Sequence, residues 1–216
     1  MKTRMFLVLV VFVAFFATMT GCATYGAKGV MPNINDPSFV ADKEKVATKM
    51  GGNITVSGYE ISTEEESKKY FDEDLLGKSI VPIFVSVDIQ KNGTDIANLI
   101  AATLNIKNGD NTTTKSPMTT QEMYEVVKRG WLARASAWGV STYYIGFFPS
   151  VAATVWTNSN IKEDLEKSKM LNLGTVREKA KGFLCFRVPE KDMKQKKVLK
   201  LIFQKNENLL EYNLEF

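Results

Sequence analysis

The strongest constraint on the fold is a strict alternation of side-chain character between residues 80 and 90. Every second position carries a branched apolar residue: Ile83, Val85, Val87 and Ile89. Because an extended chain turns successive side chains to opposite faces, a period of two predicts a β-strand with a buried face. Pro82 restricts this segment to the start of a strand or to a sheet edge, since proline donates no ladder hydrogen bond.

Further strand-like segments surround this one. They cover residues 54–61, 98–107, 182–188, 199–203 and 210–216. The dipeptides Asn92-Gly93 and Asn108-Gly109 favour the positive φ angles that tight hairpin turns require. About six or seven short strands with turn signals between them predict an antiparallel β-sandwich of the immunoglobulin-like type.

The two β halves are separated by a segment with helical spacing, at about residues 119–173. Apolar residues recur there every three or four positions, as at Met123, Val127, Trp131, Ala135 and Trp138. The predicted fold class is therefore mainly β, with a helical insertion between the two halves of the sandwich. A shorter helix is expected to begin at Ser62 or Thr63, each with a glutamate at capping-box spacing, and to stop at Gly77.

Composition excludes several kinds of catalytic and metal site. The 216 residues include no histidine and two cysteines. A Ser–His or Cys–His nucleophile pair, a histidine metal ligand and a cysteine-rich zinc site are therefore ruled out. The length suits one domain. We expect no metal and no cofactor.

The first 22 residues have the organisation of an export signal. Lys2 and Arg4 precede twelve consecutive apolar residues, Met5–Phe16. This stretch is shorter than the roughly 20 residues of a membrane-spanning helix, but it suits a signal-peptide core. Small residues follow, and the segment ends in Gly21-Cys22.

This segment resembles the lipobox of bacterial lipoproteins. The resemblance implies that residues 1–21 are removed and that Cys22 carries fatty acyl chains such as palmitate, which bind the lipid bilayer. Ala23, where aspartate would signal inner-membrane retention, points to the periplasmic side of the outer membrane if the source is Gram-negative. Residues 22–50, rich in Gly, Pro and Asn, are expected to form a lipidated tether, and residues 51–216 the folded domain.

A second resemblance concerns the folded part. Two segments resemble those of uncharacterised envelope lipoproteins with an immunoglobulin-like sandwich. They are Phe71-x-x-Asp74-Leu75-Leu76-x-Lys78-x-Ile80-x-Pro82-Ile83-Phe84-Val85 and the later Gly182-Phe183-Leu184-Cys185-Phe186. That family has no assigned reaction, so the resemblance implies no catalytic residue. Removal of residues 1–21 leaves 26 basic and 24 acidic residues, which gives no general attraction to nucleic acid.

An uncharged, aromatic-rich run over residues 135–161 is the candidate contact surface. With the preceding Trp131, its candidate residues are Trp131, Trp138, Tyr143, Tyr144, Phe147, Phe148 and Trp156. Tryptophan and tyrosine favour the lipid–water interface, and aromatic side chains also anchor protein interfaces. Packing of this segment on the sandwich is favoured over such contact, and a membrane span is least favoured because of Pro149 and the many polar residues.

Taken together, the sequence predicts a membrane-anchored envelope lipoprotein that acts as a non-enzymatic interaction or structural module, with an envelope protein as a possible partner. One alternative is an envelope hydrolase that uses carboxylates alone, since the approach of two acidic side chains is spatial and leaves no motif. Another is a membrane-contacting or pore-associated protein that uses Ala135–Ile161. Cys185, within an apolar strand pattern, is expected to be a buried hydrophobic residue.

Overall fold

A computed structural model describes residues 25–34, 46–90, 96–128 and 143–216, with the side chains of residues 143–153 left out. The strands of this part are β1 Val46–Gly51, β2 Ile54–Glu60, β3 Ile80–Ile89, β4 Ala97–Asn108, β5 Asn111–Lys115, β6 Gly174–Val176, β7 Lys179–Arg187, β8 Lys196–Lys205 and β9 Asn208–Glu215. The helices are α1 Glu64–Phe71, α2 Thr120–Val127 and α3 Tyr143–Asp164, which a π turn, Leu165–Lys169, extends.

Two antiparallel sheets pack as a sandwich. The first sheet has the strand order β1-β2-β3-β7, and the second has the order β5-β4-β8-β9, with β6 also paired to β4. The apolar side chains of β3 and β7 meet those of β4, β8 and β9 between the sheets, where Val85, Leu104 and Phe203 are fully buried. The predicted mainly β sandwich with helices inserted between its two halves is confirmed.

The first sheet is also buried on its other face, because the helices cover it. Phe84 and Phe183 of the sheet pack there against Phe71 of α1, Met123 of α2 and Ile161 of α3. The Phe183 ring lies 4.8 Å from the Phe71 ring and 5.4 Å from the Phe84 ring, between centroids. The molecule is therefore layered as second sheet, first sheet and helices, with a core on each side of the first sheet.

Strand β4 contains a bulge that changes which positions face the core. Leu99 pairs with Phe203 and Ala101 pairs with Ile202, so Ile100 is the extra residue. Before the bulge the odd-numbered Ala97 and Leu99 are buried, and after it the even-numbered Ala102, Leu104 and Ile106 are buried. The additional residue thus keeps both halves of a twelve-residue strand in register with the core.

The beginning of α1 agrees with its sequence signal and its end does not. Thr63 is the N-cap residue and its hydroxyl accepts the N–H of Glu66 at 3.2 Å. The helix stops at Phe71, six residues before the expected Gly77, because Asp72 takes a left-handed conformation; its N–H makes the last helical bond, to the Lys68 carbonyl at 2.7 Å. The Ser67 hydroxyl then accepts the N–H of Leu75 at 2.9 Å and fixes the next turn.

The expected tether, residues 22–50, differs from the structure at two places. Residues 46–50 belong to β1, which pairs with β2 from Val46 to Gly51. Residues 25–34 pack against the helix layer, with Val30, Met31 and Ile34 against its core. Within the described residues 25–34 there is no helix or strand, as the Gly, Pro and Asn residues indicate, but an irregular segment can still be fixed by tertiary contacts. The turn expected at Asn92-Gly93 lies outside the described residues.

Close contact between β7 and the chain that follows the π turn depends on a glycine. The N–H of Leu171 donates to the Phe183 carbonyl at 3.0 Å. A Cβ atom on Gly182 would lie 2.6 Å from the Leu171 nitrogen and 2.8 Å from its Cα. Glycine at position 182 therefore lets the backbone leaving the helix layer lie directly on β7.

Candidate functional site

The predicted contact residues fall into three groups. Cys22, Trp131 and Trp138 lie outside the described residues. Tyr143, Tyr144, Phe147 and Phe148 lie in α3, where the structure describes the backbone and not their side chains. Trp156 lies further along α3 and is the predicted contact residue whose surroundings are described.

Trp156 lies on the solvent face of α3. Its side chain is 63% exposed and that of the adjacent Val155 is 64% exposed, whereas Thr157 and Ile161 on the opposite face are buried. Two large apolar side chains thus project side by side from the outermost layer of the molecule. No helix in the described part is long and apolar enough to cross a membrane.

A buried ion pair lies at the other end of α3. Lys169, at the end of the π turn, and Asp164, the last residue of α3, have side chains that are 0% and 1% exposed. Their Nζ and Oδ2 atoms are 3.5 Å apart. The Lys169 ammonium also donates to the carbonyl oxygens of Ala27 at 2.7 Å and Val30 at 2.9 Å.

The carboxylate of Asp164 is bound by the same N-terminal segment. Its Oδ2 accepts the Tyr25 hydroxyl at 2.9 Å, and its Oδ1 accepts the N–H of Gly29 at 3.0 Å. Both buried charges are therefore hydrogen-bonded to residues 25–30: the carboxylate accepts and the ammonium donates. We call this arrangement, Asp164 and Lys169 with Tyr25–Val30, the N-terminal clamp.

The π turn explains how two residues five positions apart meet. In a regular α-helix they would be separated by about 140° around the axis, since each residue advances the chain by about 100°. The N–H of Met170 instead bonds to the Leu165 carbonyl at 3.1 Å, five residues back. This wider turn carries Lys169 toward the side of Asp164, and the ammonium also lies 5.7 Å from the centre of the Phe71 ring.

Burial changes the acid–base behaviour of the lysine. Loss of hydration lowers the pKa of Lys169 from its ordinary value, and the charge of Asp164 and its hydrogen bond oppose part of that shift. A buried ammonium is costly unless its donors are satisfied, and here two backbone carbonyls and a carboxylate satisfy them. Asp164 and Lys169 thus form a buried binding site that holds Tyr25–Val30.

The clamp also has a contact on the exposed side of α3. The Lys28 ammonium donates to the Asn160 side-chain oxygen at 3.2 Å and lies 3.6 Å from the Glu163 carboxylate. Asn160 is one helical turn beyond Trp156, so both lie on nearly the same face of the helix. The docked segment therefore runs beside the face that carries Trp156.

An open groove of about 340 Å³ lies between the edge strands β1 and β9. The Tyr212 hydroxyl closes one side by donating to the Gly51 carbonyl at 2.9 Å. Two carboxylates line the groove, and each is paired: Glu211 with Lys200 at 2.7 Å and Glu215 with Lys196 at 2.9 Å. These lysine hydrogen bonds lower the pKa of both carboxyl groups, which opposes the raised pKa that a general acid needs.

Cys185 lies in the core on the helix side of the first sheet. Its side chain is fully buried, and burial raises the pKa of its thiol far above the ordinary value. A thiol of this kind is chemically inert toward solutes in water. Among the described residues, no three Cys, Asp or Glu side chains gather closely enough to hold a metal ion.

Comparison of the chain with protein-family models, with curated proteins and with solved structures finds no match. The sequence did not predict the N-terminal clamp. Lys169 follows Lys162 and Lys167, and this series of lysines is typical of an exposed, charged helix face. The available signal was weak: a lysine directly before the apolar pair Met170-Leu171.

Proposed function

We propose that the protein is a lipid-anchored component of the bacterial cell envelope, with fatty acyl chains on Cys22. Its folded body serves as a non-enzymatic interaction or structural module, on the periplasmic side of the outer membrane if the source is Gram-negative. The sequence support is the order of basic residues, apolar core and Gly21-Cys22 at the start of the chain. Two or more acyl chains would make membrane attachment lasting, since each buried CH₂ contributes about 0.8 kcal/mol.

The N-terminal clamp is the structural observation that carries the proposal. Residues that form a specific, buried binding interaction begin at Tyr25, three positions after the proposed acylation site. Three residues of extended chain span at most about 11 Å. The clamp would therefore hold the body directly at the bilayer, which suits a module that works on the membrane surface.

The chemistry of the described surface supports a non-enzymatic role. The acidic side chains that line the groove between β1 and β9 are paired with lysines, and the Cys185 thiol is buried. A layered β-sandwich with a core on both sides of one sheet is a stable platform for binding. We assign the body the role of an adaptor, subunit or surface-binding module for another envelope protein.

Metabolic labelling with a palmitate analogue tests the anchor. The wild type and Cys185→Ala should both incorporate the label and fractionate with membranes, while Cys22→Ala should do neither. Cys185→Ala is the matched control, because it removes the other cysteine of the chain. Equal labelling of Cys22→Ala and the wild type would refute the proposed anchor.

A further inference from the structure

The N-terminal clamp fixes where the anchor leaves the body, and this determines which face of the body can meet the bilayer. Tyr25 and Gly29 bond to Asp164, at the end of α3, and Lys28 bonds to Asn160 and lies beside Glu163. A chain leaving Tyr25 toward Cys22 therefore starts beside α3. This reasoning rests on the proposed acylation of Cys22.

The exposed pair Val155 and Trp156 lies on the same helix as that starting point. Trp156 precedes Asn160 by one helical turn, about 6 Å along the axis, and precedes Asp164 by about 12 Å. The segment from Tyr25 to Cys22 adds at most about 11 Å. The acyl chains and the exposed tryptophan would thus lie at the same side of the molecule.

We propose that the solvent face of α3 around Val155 and Trp156 is the membrane-contact surface of the anchored protein, with the Trp156 ring in the interfacial region of the bilayer. Tryptophan prefers this region because its ring is apolar and its N–H still finds a hydrogen-bond acceptor there. The second sheet then faces away from the membrane, behind the first sheet and the helix layer.

Charges near this face indicate contact with the bilayer interface rather than with anionic headgroups. Lys28 and Lys167 both pair with Glu163, and Lys162 lies 3.9 Å from Glu166. These three lysines face two glutamates, which leaves a net charge of +1 and only a weak attraction to an anionic surface. Apolar and aromatic insertion should therefore determine its position, in zwitterionic as well as anionic vesicles.

Tryptophan fluorescence can test the orientation in the acylated, full-length protein. Trp131→Phe and Trp138→Phe leave Trp156 as the single tryptophan. The protein, purified from membranes with its acyl chains, is reconstituted into phosphatidylcholine vesicles that contain lipid brominated near the headgroup end of the chains. We expect Trp156 emission to shift to the blue and to be quenched by the brominated lipid.

A matched control reports from the opposite side of the molecule. Leu209 is 65% exposed, and its neighbours Leu210, Tyr212 and Leu214 show that it lies on the outer face of the second sheet. In a chain with Trp156→Phe as well, Leu209→Trp places the single tryptophan there. Its emission should stay that of a water-exposed tryptophan and should not respond to brominated lipid.

The outcomes separate the two proposals. Protein that floats with vesicles but shows equal quenching, or none, at both positions overturns the membrane-contact surface and leaves the anchor standing. If the protein carries no acyl mass on Cys22 and does not float with vesicles, the proposed anchor is wrong, and the proposed orientation is wrong with it.

Where the tryptophan variants fold poorly, a spin label answers the same question. A nitroxide on Ser159→Cys, on the exposed face of α3, should collide with oxygen more than with a water-soluble nickel chelate, and one on Asn213→Cys in β9 should do the reverse. The buried Cys185 leaves the introduced thiols as the reactive sites. The same collision ratio at both positions would overturn the inference.

Discussion

Replacement of Lys169 by methionine probes the contact on which the position of residues 25–34 depends. The change Lys169→Met keeps most of the side-chain volume and removes the charge. It leaves the carbonyl groups of Ala27 and Val30 without the donor at 2.7 and 2.9 Å, and Asp164 without its cation. Asp164 keeps the Tyr25 hydroxyl and the Gly29 N–H as partners, so the carboxylate is not stranded.

The contacts that Lys169→Met removes determine how much the docking of residues 25–34 should weaken. Removal of one partner from a buried ion pair costs about 3–5 kcal/mol, because the remaining charge stays buried. The loss is limited by the free energy that docks residues 25–34, since a terminal segment can detach while the sandwich stays folded. We therefore expect local undocking of the segment, with an opening equilibrium raised about 10²–10³-fold, because each 1.4 kcal/mol corresponds to a factor of ten.

Hydrogen exchange measured by mass spectrometry reports this opening directly. The Gly29 N–H on Asp164 and the Val30 N–H on the Ala27 carbonyl should lose protection in Lys169→Met, while amides of β3 and β7 should keep theirs. Lys167→Met is the matched control: this lysine is exposed and pairs with Glu163 on the surface, so it should change stability by less than about 0.5 kcal/mol. Unchanged protection of Gly29 and Val30 in Lys169→Met would refute the clamp.

The same pair predicts a dependence on pH. The folded state lowers the pKa of Lys169, so the unfolded state binds more protons between that lowered value and about 10.4. The contribution of this group to the free energy of unfolding should therefore rise as the pH rises toward 10. Urea denaturation of the wild type and Lys169→Met at several pH values isolates this effect from the other lysines, and a stability difference that shrinks with rising pH would contradict it.

Two further predictions concern the packing around β7. Gly182→Ala should lower the free energy of unfolding by about 1–3 kcal/mol, because the new methyl group would lie 2.6 Å from the Leu171 nitrogen. Gly26→Ala is the control: its methyl group would lie in open space, so it should have little effect. Urea denaturation compares the two variants. Iodoacetamide should modify Cys185 in the folded protein only at the rate of global unfolding, since burial leaves the thiol protonated and inaccessible. Rapid alkylation of the native protein, followed by peptide mass spectrometry, would show that this part of the core opens locally.

Local patterns were sufficient for the sandwich. The alternation in β3 and the capping pair Thr63 and Glu66 depend on residues close in sequence, and both occur where the pattern placed them. The end of α1 was missed because Gly77 is a common stop signal, whereas the helix ends at Asp72, which takes the left-handed conformation. Aspartate tolerates this conformation better than most residues, but the local pattern does not rank Asp72 above Gly77.

The N-terminal clamp lay beyond such patterns. Its contacts join residues 135 to 142 positions apart, between a segment rich in glycine and a buried pair whose lysine follows two exposed lysines. The π turn that brings Lys169 inward leaves no periodic signature in five residues. Proline and glycine indicated that residues 25–34 form no helix or strand, and they carry no information about whether a partner holds the segment.

The bulge at Ile100 gives β4 a tolerance to changes in chain length. Deletion of this residue would restore a regular alternation in which Ala97, Leu99, Ala102, Leu104 and Ile106 all still point inward, because the parity change disappears with it. Deletion at most other positions of the strand would turn every later side chain to the wrong face. Deletion of residue 100 should thus be tolerated by the second sheet, whereas deletion of a neighbouring residue should not.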